Sequence, residues 1–419
     1  GEKPLNTSHR FLSLIALLAV LTLLFTGCSL VFPSMDESKG GDNKGSGIDY
    51  SKEYEGKWCY QRLPNNLKID YGDIYAAVRD SFGKDERITI SDTGVGTQRD
   101  YYGIRVELSK PLKSKSEAEL LYTSFLWDNP QFFFIGNTYS YEGYRIGKSD
   151  YYNVFYLVYT MSASERLFAS QRLEEAILQL ERELSGINPS NQFEIELILH
   201  DRLLQICSYE DRASSVEDPA ALYPTAFTAY GAIVEGKAVC EGYSRAMQLL
   251  LHRSGIECTL VSGKDQNNVD HMWNLVTIEG YNYHLDPTWN DAGDRINHSY
   301  FNLTTSEILK SHQIDSDNIG IDTCTSHDAN YYIRKGRMLS TFKRDDIARI
   351  IAQAVINGEN IIDLRFTEST FPGARLFINN RNLLTQKVNS YLQDHGLTMW
   401  DYDDYNVNEI YCTLTLYRQ

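Results

Sequence analysis

The chain has 419 residues, and 40 Lys plus Arg stand against 56 Asp plus Glu, a formal net charge of −16. That balance argues against nucleic acid or anionic lipid as the main partner. An apolar content of 42% with 29 tyrosines indicates a folded globular body, and its length suggests two or three domains.

Lys3, His9 and Arg10 precede an apolar run from Phe11 to Phe25, which ends at Thr26-Gly27-Cys28. A basic start and a run too short to span a bilayer, which takes about 20 residues, make residues 1–27 a secretory signal. The Gly27-Cys28 ending resembles a bacterial lipobox, so cleavage before Cys28 and lipidation of that residue are expected. Residues 28–56 hold Ser, Gly, Asp and Lys with few large apolar groups. They read as a flexible tether between a membrane lipid and the folded body. The protein is thus expected to be an extracytoplasmic, membrane-anchored lipoprotein.

Residues 57–163 read as an N-terminal α+β domain. Helices are predicted over 71–82 and 116–127, the second ending at Asn129-Pro130. Strands are predicted over 131–135, 141–146 and 152–160. The Gly94-Val95-Gly96 stretch is a turn, because it lacks the third Gly and following helix of a dinucleotide loop.

Residues 164–327 carry the chemistry. A helix over 164–184 ends at Gly186, and a second covers 190–209. His200 and Asp201 on that second helix read as structural. The Pro-containing stretch 210–235 is expected to form one rim of a cleft. Gly236-Lys237-Ala238-Val239-Cys240-Glu241-Gly242-Tyr243 then leads into an apolar helical pattern, which puts Cys240 at a helix N-terminus. There the helix dipole and free backbone N–H groups favour thiolate over thiol. A lone Cys is usually a small core hydrophobe, so its partners decide. Residues 271–278 and 281–286 read as a hairpin about Glu279-Gly280. In that register Ile278 faces Tyr281, and His271 lies diagonal to Asp286 on one face, about 7–8 Å apart between backbones. A one-residue slip would separate them. Cys240, His271 and Asp286 then form a nucleophile, base and orienter set. Trp273 and Trp289 read as core and cleft walls. Tyr243 is a packed aromatic and a candidate for the cleft, and His284 points either to the cleft or to solvent. No His/Cys/Asp set has a recognised metal-ligand spacing, so neither metal nor other cofactor is implied.

Residues 328–419 read as a C-terminal α+β domain. Strands are predicted at Tyr331–Arg334, Ile361–Phe366 and Ile410–Tyr417, and helices over 343–357 and 374–395, in βαβαβ order. With Cys28 lipidated and Cys240 free, Cys59, Cys207, Cys258, Cys324 and Cys412 remain. That odd number forms no dense disulfide framework.

Six pieces in order over residues 195–312 carry a resemblance to the transglutaminase-like superfamily, a papain-related Cys-His-Asp fold. They are Leu199-His200-Asp201-Arg202-Leu203, Gly231-Ala232-Ile233-Val234, Val239-Cys240-Glu241-Gly242-Tyr243-Ser244, Gly255-Ile256-Glu257-Cys258, His271-Met272-Trp273-Asn274 and Asp286-Pro287-Thr288-Trp289. The pattern is similar to the bacterial branch near the kyphoscoliosis-peptidase and cytokinesis-protein relatives. The resemblance implies an α+β papain-like core, with the Cys helix packed on an antiparallel sheet and flanked by smaller α+β domains. It makes Cys240 the nucleophile, His271 the base and Asp286 the orienter. Acyl transfer also needs an oxyanion hole. The Cys240 N–H is one donor. Papain's spacing puts a Gln near Val234, none stands there, and Tyr230 is the candidate for the second. Animal transglutaminases need calcium, but the loop from Asn290 to Asp294 is far from a calcium-binding pattern. The expected function is a Cys acyl-enzyme acting on amide bonds of a protein or peptide at the cell surface, with hydrolysis ahead of crosslinking. A non-catalytic binding scaffold with the same fold is the alternative.

Overall fold

Among the described residues, four sheets, three of them four-stranded, organise the fold. The computed structural model describes residues 49–92, 97–293, 295–397 and 399–418. The signal segment, Cys28, most of the tether and the turn at 93–96 lie outside the described residues. Residues 49–56, read as tether, fold back on the body. Ser51–Tyr54 is helical, the Tyr54 ring centroid lies 4.9 Å from that of Tyr75, and Tyr50 Oη donates to Asp80 at 2.9 Å. The two tyrosines supply the apolar surface that the polar stretch before them lacks.

Helix α1 (Asn65–Ser81) packs on the first sheet, built from β1 (Arg87–Asp92), β2 (Thr97–Leu112), β3 (Ile135–Ile146) and β4 (Ser149–Tyr159) in the order β1-β2-β4-β3. The expected strand over 131–135 is instead the turn that leads into β3. The expected strands over 141–146 and 152–160 are the paired arms of one longer hairpin. Helix α2 (Lys115–Asp128) starts on the side chain of Ser114, which accepts from Glu117 N. Helix α3 (Ala163–Glu181) opens with a Ser162/Glu165 capping box, and α4 (Gln192–Ile206) follows. The two-residue strands β5 (Ser208–Tyr209) and β6 (Lys237–Ala238) pair in parallel and deliver the chain to α5 (Cys240–Arg253).

Helix α5 lies on an antiparallel sheet in the order β10-β7-β8-β9, made of β7 (Cys258–Asp265), β8 (Asp270–Ile278), β9 (Tyr281–Leu285) and β10 (His312–Ile314). The β8–β9 register matches the expected one, with Ile278 opposite Tyr281. Both turn residues take positive φ, Glu279 at 52° and Gly280 at 87°, as a two-residue type I′ hairpin requires.

One apolar cluster runs from Leu63 to Tyr332, so the packing does not break at residue 163. Tyr230, for example, stacks on Phe133 at 5.0 Å. A second cluster, from Leu339 to Leu416, belongs to the C-terminal residues. These form β11 (Met338–Leu339), α6 (Arg344–Ile356), β12 (Ile361–Phe366), α7 (Phe371–Asn379), α8 (Arg381–Gln393), β13 (Asp404–Asn408) and β14 (Thr413–Tyr417). Their sheet order is β11-β12-β14-β13, and only the β11–β12 pair is parallel. Two sequence expectations are corrected here. Tyr331–Arg334 is a helical turn, not a strand, capped by the Asn330 side chain accepting from Tyr332 N. The helix expected over 374–395 is two helices, because Asn380 ends one and caps the next. All six described cysteines are free and buried. Among the described residues, no helix is long and apolar enough to cross a membrane.

Candidate active site

Cys240 is the first residue of α5, after the extended Val239. Its helix is clipped to the sheet by buried polar groups. Ser244 Oγ lies 2.8 Å from Cys240 O and 3.0 Å from Met272 O, and Asn274 Nδ2 donates to Ser244 O at 2.9 Å. Met272 and Asn274 belong to β8, so these bonds fix the thiol beside the start of the strand that carries His271. Cys240 and His271 line the same cavity, of about 240 Å³, whose far wall is α2 with Leu120, Leu126 and Trp127.

His271 Nε2 lies 2.7 Å from Asp286 Oδ2. Asp286 is 0% exposed, immediately after β9, where its Oδ1 accepts from Trp289 N at 3.1 Å and so caps the short helix Pro287–Asn290. Burial disfavours the His271 imidazolium. The charge and hydrogen bond of Asp286, joined by a hydrogen bond with Cys240, outweigh it and raise the imidazole to about 10. Burial also works against the Asp286 carboxylate, yet His271 and His312 beside it hold it well below the usual range. The hairpin thus brings His271 to Asp286, and the cavity brings His271 to Cys240.

The other predicted residues fall into place around these three. Trp273 is fully buried and stacks on His271 at 6.0 Å, and the half-buried Trp289 lies 5.6 Å from the same ring. Tyr243 is core rather than cleft: its ring is fully buried and its hydroxyl donates to Asp291. His284 is buried too, accepting from Trp273 Nε1 at 3.1 Å and facing Thr305. The stretch 210–235 does not border the thiol cavity. Its residues 218–228 wall a neighbouring one that shares Glu241 and Arg245 with it.

Tyr230 is not placed to serve an oxyanion. It stacks on Phe133, and its hydroxyl accepts from Arg172 at 3.2 Å. Tyr209, which sequence reading passed by, lies beside the thiol instead. Tyr209 pairs with Ala238 two residues before the thiol, and its ring stacks 6.5 Å from that of Tyr243 in the first turn of α5. The Cys240 backbone N–H is directed at its phenolic oxygen. Burial, then the neighbouring Cys240, push that phenol well above its ordinary value, so the hydroxyl keeps its proton.

Sequence reading also missed His312. Its Nε2 lies 3.1 Å from the same Asp286 Oδ2 that His271 contacts. The ligand atoms of His271, Asp286 and His312 lie within 4.8 Å of one another, and so do those of His200, Asp201 and His298. Both sets are close enough to hold a metal ion. In each, the donors are turned on one another as hydrogen bonds: His200 Nδ1 and His298 Nε2 meet Asp201 Oδ1 at 2.8 and 2.9 Å.

No family model matches the chain, and no curated protein matches it. Among solved structures, one described as "Crystal structure of a TGase" is similar at a TM-score of 0.26 and 12% identity, over 46% of this chain. The matched part spans about half of that protein, 53% of its length.

Proposed function

We propose that the protein is a transglutaminase-like cysteine enzyme, with a Cys240–His271–Asp286 triad that takes an acyl group from an amide of a protein or peptide. The reading rests on one observation: a thiol at a helix N-terminus shares a cavity with an imidazole that a buried carboxylate holds protonated. A Cys240 thiolate attacks the amide carbonyl carbon. The oxyanion meets the Cys240 N–H and the Tyr209 hydroxyl, donors already fixed before the charge develops. The His271 imidazolium then gives its proton to the leaving amine. The thioester left on Cys240 goes to water, making the enzyme a peptidase or deamidase, with neutral His271 as the base.

A primary amine as acceptor, giving crosslinked products, is the second reading. Glu119, Asp315 and Asp317 line the same cavity and attract a cation. Incubation of a glutamine-bearing peptide with and without a primary amine separates the two, since a mass gain equal to the amine less ammonia reports transfer. The apolar N-terminus and Cys28 extend the proposal to an enzyme tethered at the outer membrane face. Metabolic labelling with a radioactive fatty acid should mark the wild type and not Cys28→Ser; equal labelling of both removes the tether.

The test of the triad is the pH dependence of Cys240 alkylation by iodoacetamide, with the other cysteines replaced. Rapid labelling near about pH 6 that disappears in His271→Ala supports the thiolate–imidazolium pair. Labelling that rises only near about pH 8.5 and ignores His271 rejects it.

A further inference from the structure

Asp286 Oδ2 is shared by two imidazoles, and the second of them belongs to a chain of hydrogen bonds that ends in the C-terminal part of the molecule. His312 opens β10, the edge strand, opposite Asp265 of β7. It is 2% exposed, and its ring lies 4.6 Å from Trp289, 4.9 Å from Trp273 and 5.3 Å from His271. Its Nδ1 is 2.7 Å from Ser311 Oγ, which is 2.9 Å from Tyr411 Oη. Tyr411 lies between β13 and β14, outside the span of the resemblance.

The carboxylate at one end of this chain sets the direction of its first two bonds. Asp286 is a carboxylate and only accepts, so His312 Nε2 must carry the hydrogen. Burial keeps the His312 imidazole below its ordinary value and therefore neutral, which leaves Nδ1 as an acceptor. Ser311 must then donate to Nδ1. The one hydrogen of Tyr411 Oη is then shared between two acceptors, Ser311 Oγ at 2.9 Å and Glu307 O at 3.0 Å.

We infer that His312 is a positioning residue for the triad, and that Tyr411 of the C-terminal unit sets its tautomer through Ser311. With N–H donors from His271 and His312 on Oδ2 and one from Trp289 on Oδ1, the carboxylate has no free rotation about its side-chain bond. The plane it presents to His271 is thereby fixed, and with it the direction of the imidazole toward Cys240. The C-terminal unit thereby supplies the last donor of the proposed catalytic framework.

This inference rests on the triad reading, and the same alkylation profile tests it. His312→Phe, which fills the aromatic box without a donor, should lower the rate of Cys240 alkylation near about pH 6 by about tenfold or more, since small misplacements of a reacting group are costly. His312→Gln keeps an N–H toward Asp286 and should recover most of the rate. Tyr411→Phe, which keeps the ring, should give a partial loss, and adding it to His312→Phe should cost nothing further, as for two links of one chain. A His312→Phe profile that superimposes on the wild type overturns the inference, and so does full additivity of the two losses. If His312→Phe fails to fold, Tyr411→Phe decides alone, an unchanged profile counting against the proposal. A wild type with no His271-dependent labelling removes the triad reading itself, an outcome distinct from these.

Discussion

At Cys240 the thiol and its backbone N–H open α5, with Tyr209 beside them and His271 across the cavity, the arrangement from which the oxyanion site is proposed. Removing one oxyanion donor from such a site costs about 10²-fold in kcat. Tyr209→Phe should therefore lower turnover by about that factor while leaving His271-dependent alkylation of Cys240 intact, because alkylation develops no oxyanion. Stopped-turnover and alkylation measurements on one variant check both halves; an equal fall in the two would make Tyr209 a general support of the thiol instead. Cys240, His271 and Asp286 were legible because each sits beside its own structural trigger: the glycine approach, the strand start and the hairpin turn. Tyr209 and His312 had no such signal. His312 meets Asp286 across 26 residues, and nothing in Ser311-His312-Gln313 announces that edge strand β10 returns to Asp286.

On the scale of elements, α5 is placed by contacts that tolerate no added atom. A methyl on Gly242, in its first turn, would lie 2.3 Å from Ala226 O and 2.8 Å from the Ala238 methyl. The backbone at Ala226 cannot move freely, since its carbonyl accepts the Val239 N–H at 2.9 Å. Gly242→Ala should thus destabilise the fold by about 1–3 kcal/mol, the usual cost of overpacking, and displace the thiol. Urea titration checks the first effect, and slower Cys240 alkylation in the folded variant the second. Retained stability would mean that the loop at 226 yields. Most helices were readable from caps and periodicity. Strand β2 went unread, although Ile104, Val106 and Leu108 are buried in alternation with the exposed Arg105 and Glu107. The Tyr331–Arg334 turn misled because its tyrosines favour strands, yet adjacent Tyr331 and Tyr332 are both buried, which a one-faced strand does not allow.

Across the whole molecule, the C-terminal sheet is joined to the core by buried charge. His298 stacks on Tyr331 at 3.9 Å and lies between two carboxylates, Asp201 of α4 and Asp363 of β12. Asp201 also contacts His200, whose Nε2 meets Asn290 Nδ2 at 3.1 Å in the turn that follows Asp286. The network therefore runs from the C-terminal sheet to the neighbourhood of the orienting carboxylate. Burial opposes the His298 cation, but Asp201 and Asp363 outweigh it and raise the imidazole from 6.5 to about 10. A group whose folded value lies above its unfolded one stabilises fully below the unfolded value, and the gain is lost as pH rises through the folded one. The contribution of His298 should thus be complete below pH 6.5 and gone above about 10. Because removing one partner of a buried ion pair costs about 3–5 kcal/mol, His298→Gln should melt well below the wild type at neutral pH. Its melting temperature should also fall less than that of the wild type between pH 6.5 and about 10. Residual decline in the variant is expected, since His271 titrates over the same window beside Asp286. Parallel melting curves across that range would mean that His298 is held neutral between its carboxylates, and that shape rather than charge docks the C-terminal unit.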